Sequence, residues 1–371
     1  MKYYPLLLCL FVSSILSAQI DFSATTYSGY EQNILQVPDV LEANGELLES
    51  EDLYANSAYQ DILVRFKFSK QWGKHSFAAY VTPELRYYFT ESDLNQTIFN
   101  TRLTYKYEIK KNFRWENSIR YKIKDREGQD LDQVELSVPF GYKLFEMTSG
   151  LRFRLYKNNR TFVKVNFLSK DFDNSNTRSV MYNLYGIQTE FKNIKWRNHL
   201  LHSYGIKLGY NSRDYRITNF SDNSSGHRIW NYFDAGFFYR LPLSKKLYIQ
   251  PELSYQKRMD ETNNRFSYDQ IRPELTLVYE SARFEAKITT SYTGRSFSNI
   301  TAENEDGDDV GNLKYDYFRL RTNLEYNINN KLSLVFESYT IDRNSNNTDP
   351  TTQAFRGYLN QYAGIGLRYN F

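Results

Sequence analysis

Charged residues at alternate positions are the feature of this sequence with the clearest chemical consequence. In the segment 314–328, Arg319, Arg321 and Glu325 fall on one set of alternate positions, whereas Phe318 and Leu320 fall on the other. Rows of both charge signs along a water-filled passage set up a field that biases ion selectivity. The residues that we predict to line such a passage, on the polar faces of alternating segments, are Arg65, Arg86, Arg102, Arg114, Arg120, Arg152, Arg154, Arg319, Arg321, Arg368, Glu84, Glu252, Glu274 and Glu325.

The same charges are compatible with a second arrangement. If they pair with one another across the interior, they fill it and no passage remains. The sequence leaves these two hypotheses open, a conducting pore and a filled or sealed interior.

The tripeptide Pro-Glu-Leu occurs at Pro83–Leu85, Pro251–Leu253 and Pro273–Leu275. Alternation places each Glu on the polar face and each Pro and Leu on the apolar face. Because proline removes a ladder hydrogen-bond donor, we expect a local bulge or bend at each motif. A functional ring of glutamates is the alternative interpretation.

Other kinds of chemistry find little support in the residues. The four histidines are His75, His199, His202 and His227, and none stands in a recognisable nucleophile or metal-ligand pattern. The sole cysteine, Cys9, lies in the leader described below. There is no phosphate-binding loop and no dinucleotide fingerprint. We therefore predict neither an enzyme nor a cofactor or metal site, and the net charge of +4, spread along the chain, does not indicate nucleic acid as a partner.

Short segments with a period of two must position these side chains. In 101–109, Leu103, Tyr105 and Tyr107 alternate with polar residues, and 149–156 and 314–328 repeat the pattern. Aromatic residues make up 17% of the 371 residues, although mean hydropathy is −0.65. A polar average with many aromatics is typical of strands of which only alternate residues meet lipid. The prediction is an all-β, transmembrane, antiparallel up-and-down β-barrel of about 16 strands, within a range of roughly 14 to 18.

The connections between segments alternate in length, as tight turns and longer loops do at the two ends of such a barrel. The predicted short turns are 70–74, 110–112, 193–195, 242–245, 281–283 and 329–331, and the predicted longer loops are 31–57, 125–130, 218–226, 259–265, 296–313 and 343–354. The region 131–175 is ambiguous, because Pro139, Gly141 and Gly150 interrupt it.

The two ends of the chain indicate export and membrane assembly. Lys2, an apolar run from Leu6 to Leu16 and the small residue Ala18 have the order of a secretory signal, so we predict a signal peptide at 1–18 and a barrel at 19–371. At the other end, Tyr369 and Phe371 close an alternating apolar face. This ending resembles the terminal signal that the barrel-assembly machinery of the outer membrane recognises.

Taken whole, the mature chain resembles the porin-type β-barrels of Gram-negative outer membranes. The opening Gly29-Tyr30-Glu31-Gln32-Asn33-Ile34 with Pro38-Asp39 is similar to the first strand and loop of barrels that accompany polysaccharide export. The resemblance implies location in the bacterial outer membrane, with membrane lipid and lipopolysaccharide as surroundings. It implies a channel for small hydrophilic solutes. The alternative is a non-conducting barrel that serves as a subunit of an export, secretion or assembly complex.

Overall fold

The computed structural model describes residues 19–43, 45–125, 141–173, 178–197, 199–219, 225–351 and 357–371, so the predicted signal peptide at 1–18 lies outside the described residues. Sixteen antiparallel strands form a closed barrel, and two further short strands form a separate hairpin. In chain order the strands are β1 Gln19–Gln32, β2 Val40–Ala43, β3 Glu46–Glu49, β4 Ser57–Trp72, β5 His75–Tyr88, β6 Gln96–Lys110, β7 Phe113–Lys124, β8 Tyr142–Phe153, β9 Asn159–Phe172, β10 Arg178–Arg197, β11 Leu200–Asn219, β12 Ser225–Pro242, β13 Leu247–Asp260, β14 Tyr268–Glu280, β15 Phe284–Glu303, β16 Asp309–Asn327, β17 Leu332–Ser345 and β18 Tyr358–Asn370.

Each barrel strand pairs with its neighbour in the chain, and the first and last strands close the ring. β1 pairs with β4 on one side and with β18 on the other, for example Thr25 opposite Arg368. The seam is tight, because a Cβ added at Gly366 would lie 1.8 Å from the carbonyl oxygen of Thr26. The predicted up-and-down barrel of about 16 strands is therefore confirmed.

The connections at one end of the barrel have at most five residues, whereas those at the other end have five or more, and we call these the short-turn end and the long-loop end. Gln19 and Phe371 both lie at the short-turn end. The long-loop end includes 33–56, which contains the β2–β3 hairpin and the single-turn helix α1, Ser50–Leu53. Among the described residues no helix reaches the length and apolarity needed to span a bilayer.

The outer face of the barrel is apolar on every side. Side chains that point outward remain strongly exposed although they are hydrophobic, such as Ile62 at 49% and Leu253 at 54%. Others are distributed around the ring: Leu85, Leu103, Ile119, Met147, Val165, Ile187, Ile206, Phe237, Leu275, Phe318 and Ile365. A soluble protein does not expose a continuous apolar surface of this extent. The chain is a transmembrane barrel of the outer-membrane type, with this face toward lipid.

Three predicted details of the connections and strands differ from the structure. The predicted turn 193–195 is wrong, since β10 continues to Arg197 and the reversal occurs around His199, which has a φ of 60°. The predicted loop 296–313 is also wrong, because β15 and β16 extend through most of it and leave only 304–308 as the connection. The ambiguous region 131–175 contains two strands, β8 and β9, joined by 154–158, whereas 126–140 lies outside the described residues.

The bulges expected at the Pro-Glu-Leu motifs are absent from the pairing of these described strands. On β13 and β14, Pro251 lies opposite Leu275 and Leu253 lies opposite Pro273, with Glu252 facing Glu274 between them. The register is the same on both sides of each proline, so the lost donor weakens one ladder contact without shifting the pairing.

Candidate functional site

The inner face of the barrel carries the polar and charged side chains, because the pleat alternates them with the outward apolar ones. On β4, Tyr59 and Asp61 point inward and are buried, whereas Ile62 and Phe66 point outward. By the same alternation, the predicted arginines and glutamates lie on the inner face of their strands. The exception is Arg154, which follows the end of β8 and lies exposed in the 154–158 turn.

The long-loop half of the inner face is packed with aromatic rings and basic side chains. We call this set the inner aromatic ring. Its members are Phe266, in the loop between β13 and β14, and thirteen residues at strand positions near the long loops: Tyr59, Tyr88, Tyr142, Phe172, Tyr182, Tyr215, Trp230, Tyr232, Tyr268, Phe297, Tyr315, Tyr317 and Tyr358. Neighbouring members contact one another along the wall, with centroids 4.7 Å apart for Tyr215 and Trp230 and 5.5 Å apart for Phe297 and Tyr315. Burial to this degree requires that both faces of most rings be covered.

Arginines cover many of these ring faces. Arg258 is fully buried, with its guanidinium 4.2 Å from the centroid of Trp230 and 4.3 Å from that of Tyr268. Its Nε donates a 2.6 Å hydrogen bond to the carbonyl of Phe266. Arg295 lies 4.3 Å from the ring of Tyr268 on the other side. Stacking on aromatic faces compensates part of the hydration that a buried guanidinium loses.

The sequence prediction missed most of these basic residues. Five arginines place their guanidinium groups against aromatic side chains of this set: Arg213, Arg228, Arg258, Arg295 and Arg343. The signal that would have found them is the presence of Tyr and Arg at the same alternate positions near the long loops. In the segment 314–328 this places Tyr315 and Tyr317 on the inner face, with Arg319.

Arg86 forms an ion-pair cluster with Asp61 and Glu31 on the inner face. Its Nε and Nη2 donate to the two carboxylate oxygens of Asp61 at 2.8 and 2.7 Å, and its Nη1 lies 2.8 Å from Glu31. The hydroxyl of Tyr88 also donates to Glu31, at 2.7 Å. The guanidinium lies over Tyr59 at 4.4 Å. Arg86, one of the residues predicted to line a pore, is therefore fixed in the barrel wall by a bidentate contact with the carboxylate of Asp61.

The short-turn half of the inner face is more open. Lys207 contacts Glu252 at 2.7 Å and Arg368 contacts Glu325, and near the middle of β14 Arg272 contacts Glu274 at 2.7 Å. The exposure of these pairs differs, from 46% of the Lys207 side chain to 19% of the Arg368 side chain. On the long-loop side of the middle of β7 and β8, Arg120 lies directly opposite Arg102 of β6 and has Glu146 at 3.6 Å. Arg65 shares the inward positions of β4 with Asp61.

Cavities open along this half. One of about 420 Å³ is lined by residues of β1 and β13–β18, including Lys287, Glu325 and Arg368. A second of about 500 Å³ lies against β9–β14 and includes Lys207, Asp234 and Glu252. Hydroxyl, amide and charged groups dominate both linings, so both suit water and hydrophilic solutes. That the predicted arginines and glutamates line a conducting pore stays a prediction.

The two ends of the barrel carry opposite charge in the described residues. Basic residues of the short-turn end are Lys70, Lys74, Lys110, Lys111, Arg154, Lys157, Lys245, Lys246, Arg283 and Lys331. Acidic residues of the long-loop end are Asp39, Glu42, Glu46, Glu49, Glu51, Asp52, Glu91, Asp93, Glu305, Asp306 and Asp308. Within the first long loop, Tyr54 donates to Asp39, and burial together with this carboxylate raises the pKa of Tyr54. Such an axial separation of charge creates a field along the barrel axis.

The remaining predicted residues occupy structural positions. Phe371 donates its backbone N–H to the carbonyl of Phe22 at 3.0 Å, and the two rings lie 4.6 Å apart. Tyr369 packs against Phe371 on the outer face at 4.7 Å. Among the histidines, His75 and His202 each bond a tyrosine hydroxyl. Among the described residues, no group of three or more His, Cys, Asp or Glu is placed to hold a metal ion.

Comparison with known proteins gives similarity only at the level of solved structures. No family model matches the sequence. No curated protein matches it either. The ferric citrate transporter FecA is 10% identical, with 94% of this chain and 56% of FecA covered and a TM-score of 0.46. This chain thus spans a little over half the length of FecA.

Two further solved structures match over nearly their whole length. A bacterial polysaccharide outer membrane secretin is 9% identical, with 94% of this chain and 98% of the secretin covered and a TM-score of 0.45. The outer membrane channel DcaP of Acinetobacter baumannii is 9% identical, with 96% and 98% covered and a TM-score of 0.43. No functional conclusion follows from similarities at this level.

Proposed function

We propose that the chain is an outer-membrane channel for the passive passage of small hydrophilic solutes through the interior of the barrel. The observation that carries this proposal is the polar lining of the short-turn half, where cavities of about 420 and 500 Å³ meet charged and amide side chains. A barrel that only anchored a complex would not need a hydrated interior. The short-turn end faces the periplasm and the long-loop end faces the outside, as in other bacterial barrels of this kind.

The membrane surroundings of the barrel follow from the same proposal. The apolar outer face lies in outer-membrane lipid, with lipopolysaccharide around the long-loop end. Tyr369 and Phe371 are recognised by the barrel-assembly machinery before the β1–β18 seam closes. The function requires no enzyme activity, cofactor or nucleic acid.

A specific observation favours a second candidate, a non-conducting barrel that serves as a subunit of an export, secretion or assembly complex. The inner aromatic ring buries Phe297 and Tyr317 completely, and Arg258 with them. If its packing closes the long-loop half permanently, no continuous passage connects the two ends of the barrel.

Single-channel recording distinguishes the two candidates. The barrel is purified, refolded in detergent and inserted into a planar lipid bilayer. Stable conductance steps are the expected result. A folded barrel, recognised by its heat-modifiable migration on gels, that gives no steps would contradict the channel and favour the subunit, and its partners would then be sought by mild-detergent pull-down.

The charges on β16 test the selectivity of the channel. Arg321 is exposed on the inner face, and Arg319 is held beside Tyr317 by a 3.1 Å bond to Thr293. We expect anion preference at low salt that declines as the screening length falls from about 30 Å at 0.01 M to about 3 Å at 1 M. The double variant Arg319→Glu, Arg321→Glu should reduce the magnitude of the reversal potential measured across a salt gradient, or change its sign. The matched control is Arg283→Glu, in a short turn, which should change it less.

A further inference from the structure

A third cavity lies where β7, β8 and β9 meet the short-turn end. Its volume is about 260 Å³, and four arginines line it: Arg114, Arg152, Arg154 and Arg160. Arg114 lies directly opposite Arg152 in the β7–β8 ladder, and both point inward. Arg154 belongs to the adjoining turn and Arg160 to the first residues of β9. Four guanidinium groups on so small a space repel one another unless negative charge compensates them.

The protein supplies part of that compensation. Glu116 accepts from Arg114 Nε at 2.7 Å and lies 2.9 Å from Arg152 Nε. Glu108, opposite Arg114, supplies a second carboxylate and is itself among the residues that line the cavity. Four positive groups against two carboxylates leave two positive charges in excess. Lys192, opposite Arg160 in the β9–β10 ladder, adds no further excess, because Glu190 two residues away on the same face of β10 offsets its charge.

Arg154 and Arg160 carry the uncompensated charge. Both are exposed, and within the described part of the chain neither lies within ion-pair distance of a carboxylate. Arg114 and Arg152 are held in place by Glu116, so one side of the cavity is preorganised. On the opposite side, the guanidinium groups of Arg154 and Arg160 remain available to a ligand.

We infer that this cavity binds a phosphate-type dianion at the short-turn mouth of the barrel. Guanidinium forks match the paired oxygens of phosphate and form charge-assisted hydrogen bonds with them. The excess of two positive charges matches the charge of a phosphate monoester, about −1.5 to −2 near neutral pH. The inference rests on the proposed function, in that the ligand is an anion entering from the periplasm. The basic short-turn end attracts such anions from that side.

The first experiment measures binding without requiring conduction. The refolded barrel in neutral detergent is titrated with inorganic phosphate and with pyrophosphate by calorimetry. Saturable binding of about one ion per barrel is expected, tighter for pyrophosphate because it carries more charge. Absence of saturable binding would overturn the inference, whatever the bilayer recordings give. Conversely, binding by a barrel that shows no conductance would keep the site and reject the channel.

Two double variants locate the site. Arg154→Gln with Arg160→Gln removes two positive charges from the cavity, and affinity should fall roughly tenfold or more. Lys245→Gln with Lys246→Gln removes two positive charges from another short turn, and affinity should change less than about twofold. All four residues are exposed, so both variants should keep heat-modifiable migration. Equal losses in the two variants would mean diffuse attraction and would contradict a defined site.

Phosphate groups also occur in the head groups of the inner lipid leaflet, so the source of the ligand needs its own measurement. The titration with pyrophosphate is repeated with an anionic phospholipid, phosphatidylglycerol, added to the micelles. Unchanged affinity supports a soluble anion. Loss of pyrophosphate binding on addition of the lipid would overturn the solute assignment and make the cavity a lipid head-group site.

Discussion

The two halves of the inner face accommodate charged side chains in different ways. In the long-loop half, guanidinium groups lie flat against aromatic rings and are buried, as Arg258 is between Trp230 and Tyr268. In the short-turn half, charges meet carboxylates in exposed pairs, as Lys207 meets Glu252, beside hydrated cavities. Both halves are rich in arginine, but the fully buried guanidinium of Arg258 lies in the first half, whereas Lys207 in the second half keeps contact with water.

The difference shows that residue type alone does not identify a pore lining. An arginine stacked between rings and bonded to the wall acts mainly as packing, because its charge is compensated locally. An arginine on an open wall acts at a distance through its field. We therefore expect the long-loop half to determine stability and the width of the passage, and the short-turn half to determine which ions gather at its entrance.

Removing Arg86 should give the largest effect, and it tests the packed half. Arg86→Ala leaves Asp61 and Glu31 buried without their cation, so unfolding free energy should fall by about 3–5 kcal/mol. Urea unfolding in micelles, followed by tryptophan fluorescence, measures this loss. The matched control is Arg102→Ala on β6, an exposed inward arginine that faces Arg120, which should be near neutral. Similar losses for both would mean that the two kinds of arginine do not differ.

The second-largest effect should come from removing one member of the inner aromatic ring. Tyr317→Ala removes a fully buried ring from β16, and single-channel conductance should rise by roughly twofold if this ring limits the passage. Asn323→Ala, on the inner face of the same strand but beside the 420 Å³ cavity, should leave conductance nearly unchanged. A larger rise for Asn323→Ala would place the constriction in the short-turn half instead.

Breaking an exposed pair should give the smallest effect. Lys207→Ala removes the partner of Glu252, and because Lys207 is 46% exposed, the loss of unfolding free energy should be at most about 1 kcal/mol. The same urea titration at low and high salt measures it, and the difference from wild type should shrink as salt rises. A loss as large as that of Arg86→Ala would show that the short-turn half is as tightly coupled as the packed half.

Much of the fold could be predicted from particular segments. The alternation around Leu103 and around Phe318 identified strands correctly, because side-chain direction in a strand depends only on position along the chain. Turn prediction was less successful. Asn193 suggested a turn, but pairing of β10 with β11 carries the strand on to Arg197, since ladder contacts outweigh a local turn preference. The prolines of the Pro-Glu-Leu motifs were likewise accommodated without a shift of register.

Three local properties of the sequence were enough to assign the class of the protein, because a lipid-facing barrel requires them: a period of two, abundant aromatics and a polar mean hydropathy. The period of two also indicated which of the predicted arginines and glutamates point inward, with Arg154 as the exception. Which inward arginines are packed and which are exposed could be seen only in the folded barrel, because that depends on the register between strands distant in sequence. Arg86 finds Glu31 and Asp61 across two neighbouring strands, and Arg154 meets Arg114 only where a turn folds beside another strand's end. Such contacts are set by barrel closure, which no single segment encodes.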